Sequence, residues 1–170
     1  GVELGFASLL IYEGMVKEGL KVVKDVDDRY RKAGLYFDHQ EFGGHYFRPM
    51  SAWAILNAML GLGINDGALE FSPRLPGKNH KLFYATGTAT GHYITKAGKG
   101  VTITVEQGEL AIRKLTLGGI AAKGGKVTVK AAGKVLKGEA YSAAVADGKL
   151  VLNFADEVKL PAGKELAVGS

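Results

Sequence analysis

The hydrophobic residues of this chain change their spacing at the segment 63–67, Gly-Ile-Asn-Asp-Gly. Before this segment, apolar side chains recur at the spacing of an amphipathic helix. After it, they alternate with polar side chains, as in a half-buried strand. The sequence therefore predicts an α+β fold class, with a helical domain over residues 1–66 and an all-β domain over residues 67–170.

Two helices joined by a turn are predicted at the start of the helical domain. The first covers residues 2–16, and Gly14 and Gly19 are expected to bracket the turn that follows it. Gly34 is expected to end the second helix, whose apolar face carries Leu20, Val23, Val26 and Tyr30.

A third predicted helix begins near Arg48, where Pro49 suits the first turn. It is apolar on nearly every side, through Trp53, Ile55, Leu56, Met59, Leu60 and Leu62. Such a helix needs cover all round, which two further helices cannot provide. We therefore expect more helices before Gly1, which leads into the first helix without a capping side chain.

The second domain has the features of an all-β, sandwich-like domain. Its alternating apolar runs include Val101, Ile103 and Val105; Leu110 and Ile112; Val127 and Val129; Tyr141, Ala143 and Val145; and Leu150, Leu152 and Phe154. Asp147-Gly148 predicts a two-residue hairpin, and Gln107-Gly108 predicts another turn. Turn signals recur about every 8–12 residues, which is typical of a β-sandwich.

Composition argues against several classes of function. Residues 1–80 carry nine basic and ten acidic side chains, and residues 81–170 carry thirteen and seven. The basic excess lies beside predicted turns, without the arginine clusters and interleaved aromatics of nucleic-acid-binding proteins. The chain has no cysteine, which excludes disulfides and thiolate chemistry. The longest apolar run, over residues 52–62, is too short to span a bilayer. We expect neither a nucleic-acid partner nor a membrane span.

The segment 35–47, LYFDHQEFGGHYF, follows neither repeat and concentrates the residues that could carry chemistry. Its ionisable residues Asp38, His39, Glu41 and His45 match no common zinc spacing. No glycine-rich turn elsewhere lies between a strand and a helix, as a nucleotide site would require. We therefore expect no cofactor.

Two interpretations of this segment remain open from the residues alone. In the first, Glu41 and Arg48 form paired hydrogen bonds with adjacent sugar hydroxyls, while neighbouring aromatic rings cover the apolar face of the sugar. In the second, Glu41 and Arg48 form a buried structural ion pair within an aromatic core.

The sequence does not identify a complete pair of catalytic carboxylates. Glycoside hydrolysis needs two carboxyl groups on opposite sides of one bond. Asp38 and Glu41 are too close along one loop to take these positions easily. Asp25, Asp27 and Asp28 share a predicted helix with arginines, where a solvated charged face is expected.

Residues 43–66, GGHYFRPMSAWAILNAMLGLGIND, resemble the last-helix region of glycoside hydrolase family 116, the family of non-lysosomal glucosylceramidases and microbial β-glucosidases and β-xylosidases. The resemblance rests on Arg48-Pro49-x-Ser51-x-Trp53-Ala54, on the aromatic loop before it, and on Tyr12-Glu13-Gly14-Met15 between two helices. Residues 82–94, LFYATGTATGHYI, also resemble the start of a β-rich tail found on some members.

The resemblance implies an (α/α)6 toroid that catalyses retaining hydrolysis of β-glycosides. The nucleophile and the acid/base residue of the family lie upstream of the matching region, so no catalytic residue is assigned here and this chain alone should be inactive. Arg48 would contact the sugar, Glu41 would be its carboxylate partner, and His45 and Tyr46 would be further contacts. The implied partners are a β-glycoside and the preceding part of the same enzyme.

One position departs from the family pattern, because Phe42 stands where the glucosidase members carry a further arginine. A pentoside substrate or an inactive relative therefore stays open. The alternative function is a non-catalytic carbohydrate-binding or assembly module. Binding by the β domain would need a flat row of exposed aromatics. Residues 81–170 contain only the aromatic residues Phe83, Tyr84, Tyr93, Tyr141 and Phe154, and alternation places most of these inward.

Overall fold

The computed structural model describes residues 1–36, 48–97, 100–120 and 127–169. The chain forms two compact units, Gly1–Met59 and Leu60–Ser170. Helices come first along the chain and a large, mostly antiparallel sheet follows. The prediction of a mixed α+β fold class is confirmed.

The helical unit contains α1, α2, a short 3-10 helix and all but the last residue of α3. Their bounds are Val2–Tyr12, Val16–Lys32, Arg48–Ala52 and Trp53–Leu60. As predicted, Gly34 closes α2: it has a positive φ of 76°, and the N–H of the next residue, Leu35, donates to Tyr30 O in the last turn of the helix. This backbone conformation is one that glycine adopts without strain.

Gly19 is not a turn residue, contrary to the sequence-based prediction. The turn between α1 and α2 is complete by Met15, and Gly19 lies within α2. A Cβ atom at Gly19 would stand 2.6 Å from Ile11 Cγ1 and 2.8 Å from Ala7 O. The missing side chain therefore permits close packing of α2 on α1, which the local sequence does not distinguish from a turn.

The β unit contains the strands β1 to β10. In chain order they are Leu62–Asn65, Ala68–Phe71, His80–Ala85, Ala89–Lys96, Gly100–Leu117, Thr128–Ala131, Lys134–Val135, Tyr141–Ala146, Lys149–Pro161 and Glu165–Gly169. The predicted third helix stops at Leu60, and Leu62 instead starts β1, which pairs with β2 across the Asp66-Gly67 turn.

The long strand β5 organises this sheet. Its first part, residues 100–108, pairs with β4 and β10, whereas its second part, residues 109–117, pairs with β9 and β2. The prediction of a turn at Gln107-Gly108 is therefore wrong. Gly108 has φ 75°, and a Cβ there would lie 1.9 Å from Thr88 O. Glycine is needed at this position for a close backbone approach inside a strand.

The hairpin predicted at Asp147-Gly148 is confirmed. These two residues, with φ values of 51° and 73°, connect β8 to β9 through the Ala146–Lys149 pair. Positive φ at both positions is the conformation that a two-residue hairpin of this type requires.

One apolar cluster forms the core of the β unit. It draws on both parts of β5, through Ile103 and Leu115, and on strands that pair with each part, through Leu152 and Leu166. The alternating apolar positions of the sequence are thus largely the inward-facing ones, because successive side chains of a strand point to opposite faces.

Candidate functional site

Of the four residues predicted to contact a sugar, the structure describes only Arg48. Glu41, His45 and Tyr46 lie outside the described residues, as do Asp38 and His39. Arg48 begins the 3-10 helix Arg48–Ala52. Both roles considered for Arg48, a sugar contact and a structural ion pair, therefore stay predictions.

The 3-10 helix that starts at Arg48 is tied to the beginning of α1. Ser51 Oγ donates a hydrogen bond to Gly1 O over 3.0 Å. Ser51 belongs to the Arg-Pro-x-Ser-x-Trp pattern, so this motif residue has a structural task. The bond places the Arg48 turn next to the N-terminal end of α1.

Two aromatic residues close to the predicted site are open to solvent. Tyr36 is 62% exposed and Trp53 is 61% exposed. For these two rings, the interpretation as core residues does not hold within this chain. An exposed indole or phenol ring offers an apolar face to a sugar or to another part of a protein.

The acidic residues of α2 form a solvated, ion-paired surface, as predicted. Arg31 Nε donates to Asp27 at 2.7 Å, and lysines one turn earlier pair with Asp25 and Asp28. These pairs are all more than half exposed, so their contribution to stability is small. None of these three carboxyl groups is held away from water, as the carboxyl group of a general acid usually is.

The β unit holds a compact group of three aromatic side chains. Phe71, Tyr84 and Tyr93 are all 0% exposed. The Tyr84 ring meets Phe71 edge-on with centroids 5.5 Å apart, and the Tyr93 ring stacks on Phe71 at 4.9 Å. Such contacts add to the stabilisation that burial itself provides.

The two tyrosine hydroxyls of this group are in different situations. Tyr84 Oη donates to Thr104 O at 2.8 Å, whereas Tyr93 Oη has no hydrogen-bond partner in the part of the chain that the structure describes. Burial raises the pKa of Tyr84 to about 12, with a smaller contribution from Glu106. Burial also raises the pKa of Tyr93 above its ordinary value, so that both phenols stay protonated near neutral pH.

Tyr93 also lines a cavity of about 230 Å³. The cavity lies where the end of β4 and the start of β5 meet the segments 73–80 and 118–120. Sequence reasoning placed Tyr93 inward but missed this cavity. The only indication of this cavity in the sequence was a tyrosine at an inward strand position. Such a tyrosine usually finds a hydrogen-bond partner for its hydroxyl, so the position alone does not predict a cavity.

On the outer face of β4 and β5, His92 lies beside Glu106. His92 Nδ1 lies 2.6 Å from Glu106 Oε1, and the imidazole ring meets Phe83 edge-on at 6.0 Å. Among the described aromatic residues of β3 and β4, Phe83 is exposed while Tyr84 and Tyr93 are buried. These strands therefore do not provide a flat row of aromatic rings.

Among the described residues, no group of three or more histidine, aspartate or glutamate side chains is placed to hold a metal ion. None of the described helices combines the length and the hydrophobicity needed to cross a membrane.

No protein-family model matches the chain, and no curated protein matches it. Its function has to be inferred from the geometry of its residues and from the sequence resemblance described above.

Proposed function

We propose that this chain is the C-terminal part of a retaining β-glycoside hydrolase of the glucosylceramidase and β-glucosidase type. In this proposal the helical unit is the end of an (α/α)6 toroid and supplies residues that contact the sugar. The β unit is a structural appendage. The catalytic carboxylate pair belongs to the part of the enzyme that precedes this chain.

The observation that carries the proposal is the apolar surface of the helical unit. Val2 is 77% exposed, and Phe6 and Leu9 of α1 are each more than half exposed. Met50 and Trp53, near the start of α3, are exposed to a similar extent. A helix facing water normally turns such side chains inward, so helices with apolar residues on several sides belong in the interior of a larger domain.

Among the described residues of the unit, the buried core is small. Its cluster consists of Ala7, Ile11, Ile55 and Ala58, and two of these are alanines. Burial of apolar area is the main driving force of folding, so a core of this size stabilises three helices weakly. Further helices packed on α1 and α3 would supply the missing burial, as neighbouring helices do in an α/α toroid.

Arg48 is the residue to which we assign the most direct role. A guanidinium group can donate two parallel hydrogen bonds to adjacent oxygens, which suits neighbouring sugar hydroxyls or a partner carboxylate. Glu41 would be that carboxylate partner, and His45 and Tyr46 would complete the contacts. Trp53, five residues after Arg48, is exposed and offers a ring face close to it in sequence.

The first experiment compares this chain alone with the same chain preceded by the coding sequence upstream of Gly1 in the same reading frame. Both are assayed with aryl β-D-glucoside and aryl β-D-xyloside. We expect no hydrolysis by the chain alone and hydrolysis of one β-glycoside by the longer protein. A longer protein that hydrolyses neither substrate, or an upstream frame without a helical domain, would overturn the proposal.

The second experiment tests Arg48 in the longer protein. Arg48→Ala should remove about 2–4 kcal/mol of transition-state stabilisation, roughly a thirty- to thousand-fold loss in kcat/KM. Arg31→Ala, which removes an equal charge from the solvated face of α2, is the matched control and should leave kcat/KM unchanged. An equal rate for Arg48→Ala and the parent would remove Arg48 from the sugar site.

A further inference from the structure

We propose that the edge strand β8 binds a second copy of this chain, through antiparallel pairing of the two β8 strands about Ala143. This inference concerns the β unit and does not depend on the proposed glycosidase activity. It stands on the unprotected edge of β8, on the exposed side chain of Val145 and on the charges at the two ends of the strand.

The first step is to find the strands that have a free edge. Of the described strands, β1, β3, β7 and β8 each pair with a single neighbour. In an antiparallel edge strand, alternate backbone N–H and C=O groups point away from that neighbour, where another strand can bind them. Natural proteins protect such edges by keeping them short or by placing charges, prolines or bulges on them.

The second step is that β8 lacks this protection. β7 has two residues, and β1 has four, of which one is Gly63. β3 carries Lys81, whose side chain is exposed. β8 has six residues, Tyr-Ser-Ala-Ala-Val-Ala, without a charge, a proline or a glycine, and it pairs with β9 in an unbroken register. Among the described edges, β8 is therefore the one best suited to bind another strand.

The third step is an apolar side chain that β8 leaves uncovered. Tyr141 and Ala143 pack against the core of the β unit. Val145 belongs to the same face of the strand, because side chains alternate along it, and it pairs with Leu150, which is 0% exposed. Val145 is nevertheless 53% exposed. The core-facing side of β8 thus ends in an apolar residue that nothing covers within the described chain.

The fourth step is the register that covers Val145. The two-fold axis of an antiparallel strand pair is perpendicular to the sheet, so core-facing residues of the two copies lie opposite one another. With the axis at Ala143, Tyr141 of each copy lies opposite Val145 of the other. An aromatic residue opposite a β-branched residue is a favourable cross-strand pair, and the symmetry forms it twice.

The fifth step is charge, which favours a second copy over a strand that carries net charge. Lys137 and Glu139 precede β8, and Asp147 and Lys149 follow it. In antiparallel pairing, the start of one strand lies beside the end of the other. One lysine and one carboxylate then face the same combination in the second copy, and the five paired residues between them are uncharged. The edge is therefore electrostatically compatible with itself.

The expected dimer is weak. Five paired residues on each side form an interface smaller than the roughly 1,200–2,000 Å² of stable complexes. We expect a Kd of about 10–100 μM. Sedimentation equilibrium of the full chain should show the mass of one chain, 18.0 kDa, at low concentration and approach twice this mass near 1 mM, a concentration well above that Kd.

Single-cysteine variants test the pairing directly, because the chain has no cysteine of its own. In Ala143→Cys the two Cα atoms would lie about 4.5–5.5 Å apart, within the range of a disulfide. Ala144→Cys is the matched control: its two copies would lie diagonally, roughly 7–8 Å apart, on the other face. Ala144 is the more exposed of the two residues. Random collision would therefore cross-link Ala144→Cys faster, whereas β8 pairing should cross-link Ala143→Cys at least about ten-fold faster.

A charge at the free edge should prevent the pairing. Val145→Lys leaves its ammonium group in water in the single chain but places it against Tyr141 in the dimer, so Kd should rise at least about ten-fold. Val135→Lys is the control, because Val135 is 45% exposed on the short edge strand β7. It should leave Kd unchanged.

Three outcomes would overturn the inference. A parent chain that sediments as a monomer up to about 1 mM, far above the expected Kd, would leave the β8 edge to a strand of another protein. Faster cross-linking of Ala144→Cys than of Ala143→Cys would exclude the proposed register. A dimer that Val145→Lys does not weaken would have to form elsewhere, for example through the exposed apolar residues of α1.

Discussion

Tyr84 and Tyr93 lie on the paired strands β3 and β4 and are equally buried, yet only the Tyr84 hydroxyl has a hydrogen-bond partner among the described residues. Both rings contact Phe71. Their apolar contributions are therefore comparable, and the difference between them is confined to one polar atom each. Substitution by phenylalanine at each position isolates that atom.

The two Tyr→Phe variants should change stability in opposite directions. Tyr84→Phe removes the bond to Thr104 O and should lower the free energy of unfolding by about 1 kcal/mol. Tyr93→Phe removes an unpaired hydroxyl and should raise it by a similar amount. Urea unfolding, with amide hydrogen exchange in β4 and β5 to locate the change, measures both.

The stability of Tyr93→Phe shows whether the hydroxyl is unpaired. A Tyr93→Phe variant that is less stable than the parent would indicate that the hydroxyl is satisfied in solution.

Alkaline pH should destabilise the β unit through these same residues. The pKa of Tyr84 is about 12 in the folded chain, above its ordinary value of 10. The unfolded chain therefore loses this proton first, and stability falls as pH rises above about 10. Each pH unit in this window removes up to about 1.4 kcal/mol per buried tyrosine.

Unfolding at pH 11, followed by tyrosinate absorbance, checks this prediction. The Tyr84→Phe, Tyr93→Phe double variant controls for the lysines, which titrate in the same range. It should lose less stability than the parent between pH 9 and 11. Equal losses in the two proteins would show that the buried tyrosines do not couple to unfolding.

Gly91 should tolerate no side chain, because β4 and β5 approach closely there. A Cβ atom would stand 1.9 Å from Thr104 O and 3.0 Å from Tyr84 Oη. We expect Gly91→Ala to destabilise the chain by roughly 3 kcal/mol. Gly87→Ala is the control, because a Cβ at Gly87 meets nothing within 4 Å. Similar melting temperatures for the two variants would contradict the described β4–β5 approach.

A second glycine pair tests the packing of the helical unit. Gly19→Ala would press a methyl group against Ile11 and Ala7 O, and should lower helical stability by about 1–3 kcal/mol. Gly5→Ala adds a methyl group in open space within α1, and should raise stability by about 0.5–1 kcal/mol. Circular dichroism of the helical signal on heating distinguishes them. The reverse order would place Gly19 outside the α1–α2 contact.

Glu70 should make a small contribution to stability that disappears in acid. Burial opposes its ionisation, but hydrogen bonds from Lys149, at 2.6 Å, and Ser72 outweigh this effect and lower its pKa below 4.5. The contribution is present above that value and is lost as pH falls through the lowered pKa. Because both partners are about a third exposed, Glu70→Gln should cost less than about 1 kcal/mol at pH 7.

Urea unfolding of the parent and Glu70→Gln at pH 7 and pH 3 measures this difference. The two proteins should differ at pH 7, and the difference should be smaller at pH 3. A difference that stays constant with pH would mean that the substitution acts through packing, since glutamine does not titrate.

The local sequence was sufficient wherever the physical cause is local. The change of period near residues 63–67 predicts helices before strands, because side-chain direction repeats differently in the two structures. Asp147-Gly148 predicts its hairpin because two consecutive positive φ angles need residues of this kind. The ion-paired surface of α2 follows from charges one turn apart.

Only the tertiary structure decided the roles of Gly19, Gly108 and Tyr93. A glycine that allows a turn and a glycine that allows another segment to approach are identical in sequence, because the neighbouring atoms come from distant residues. The same reason applies to Tyr93. Alternation places its ring inward, but whether its hydroxyl meets a carbonyl, as in Tyr84, or no partner among the described residues depends on strands brought together by folding.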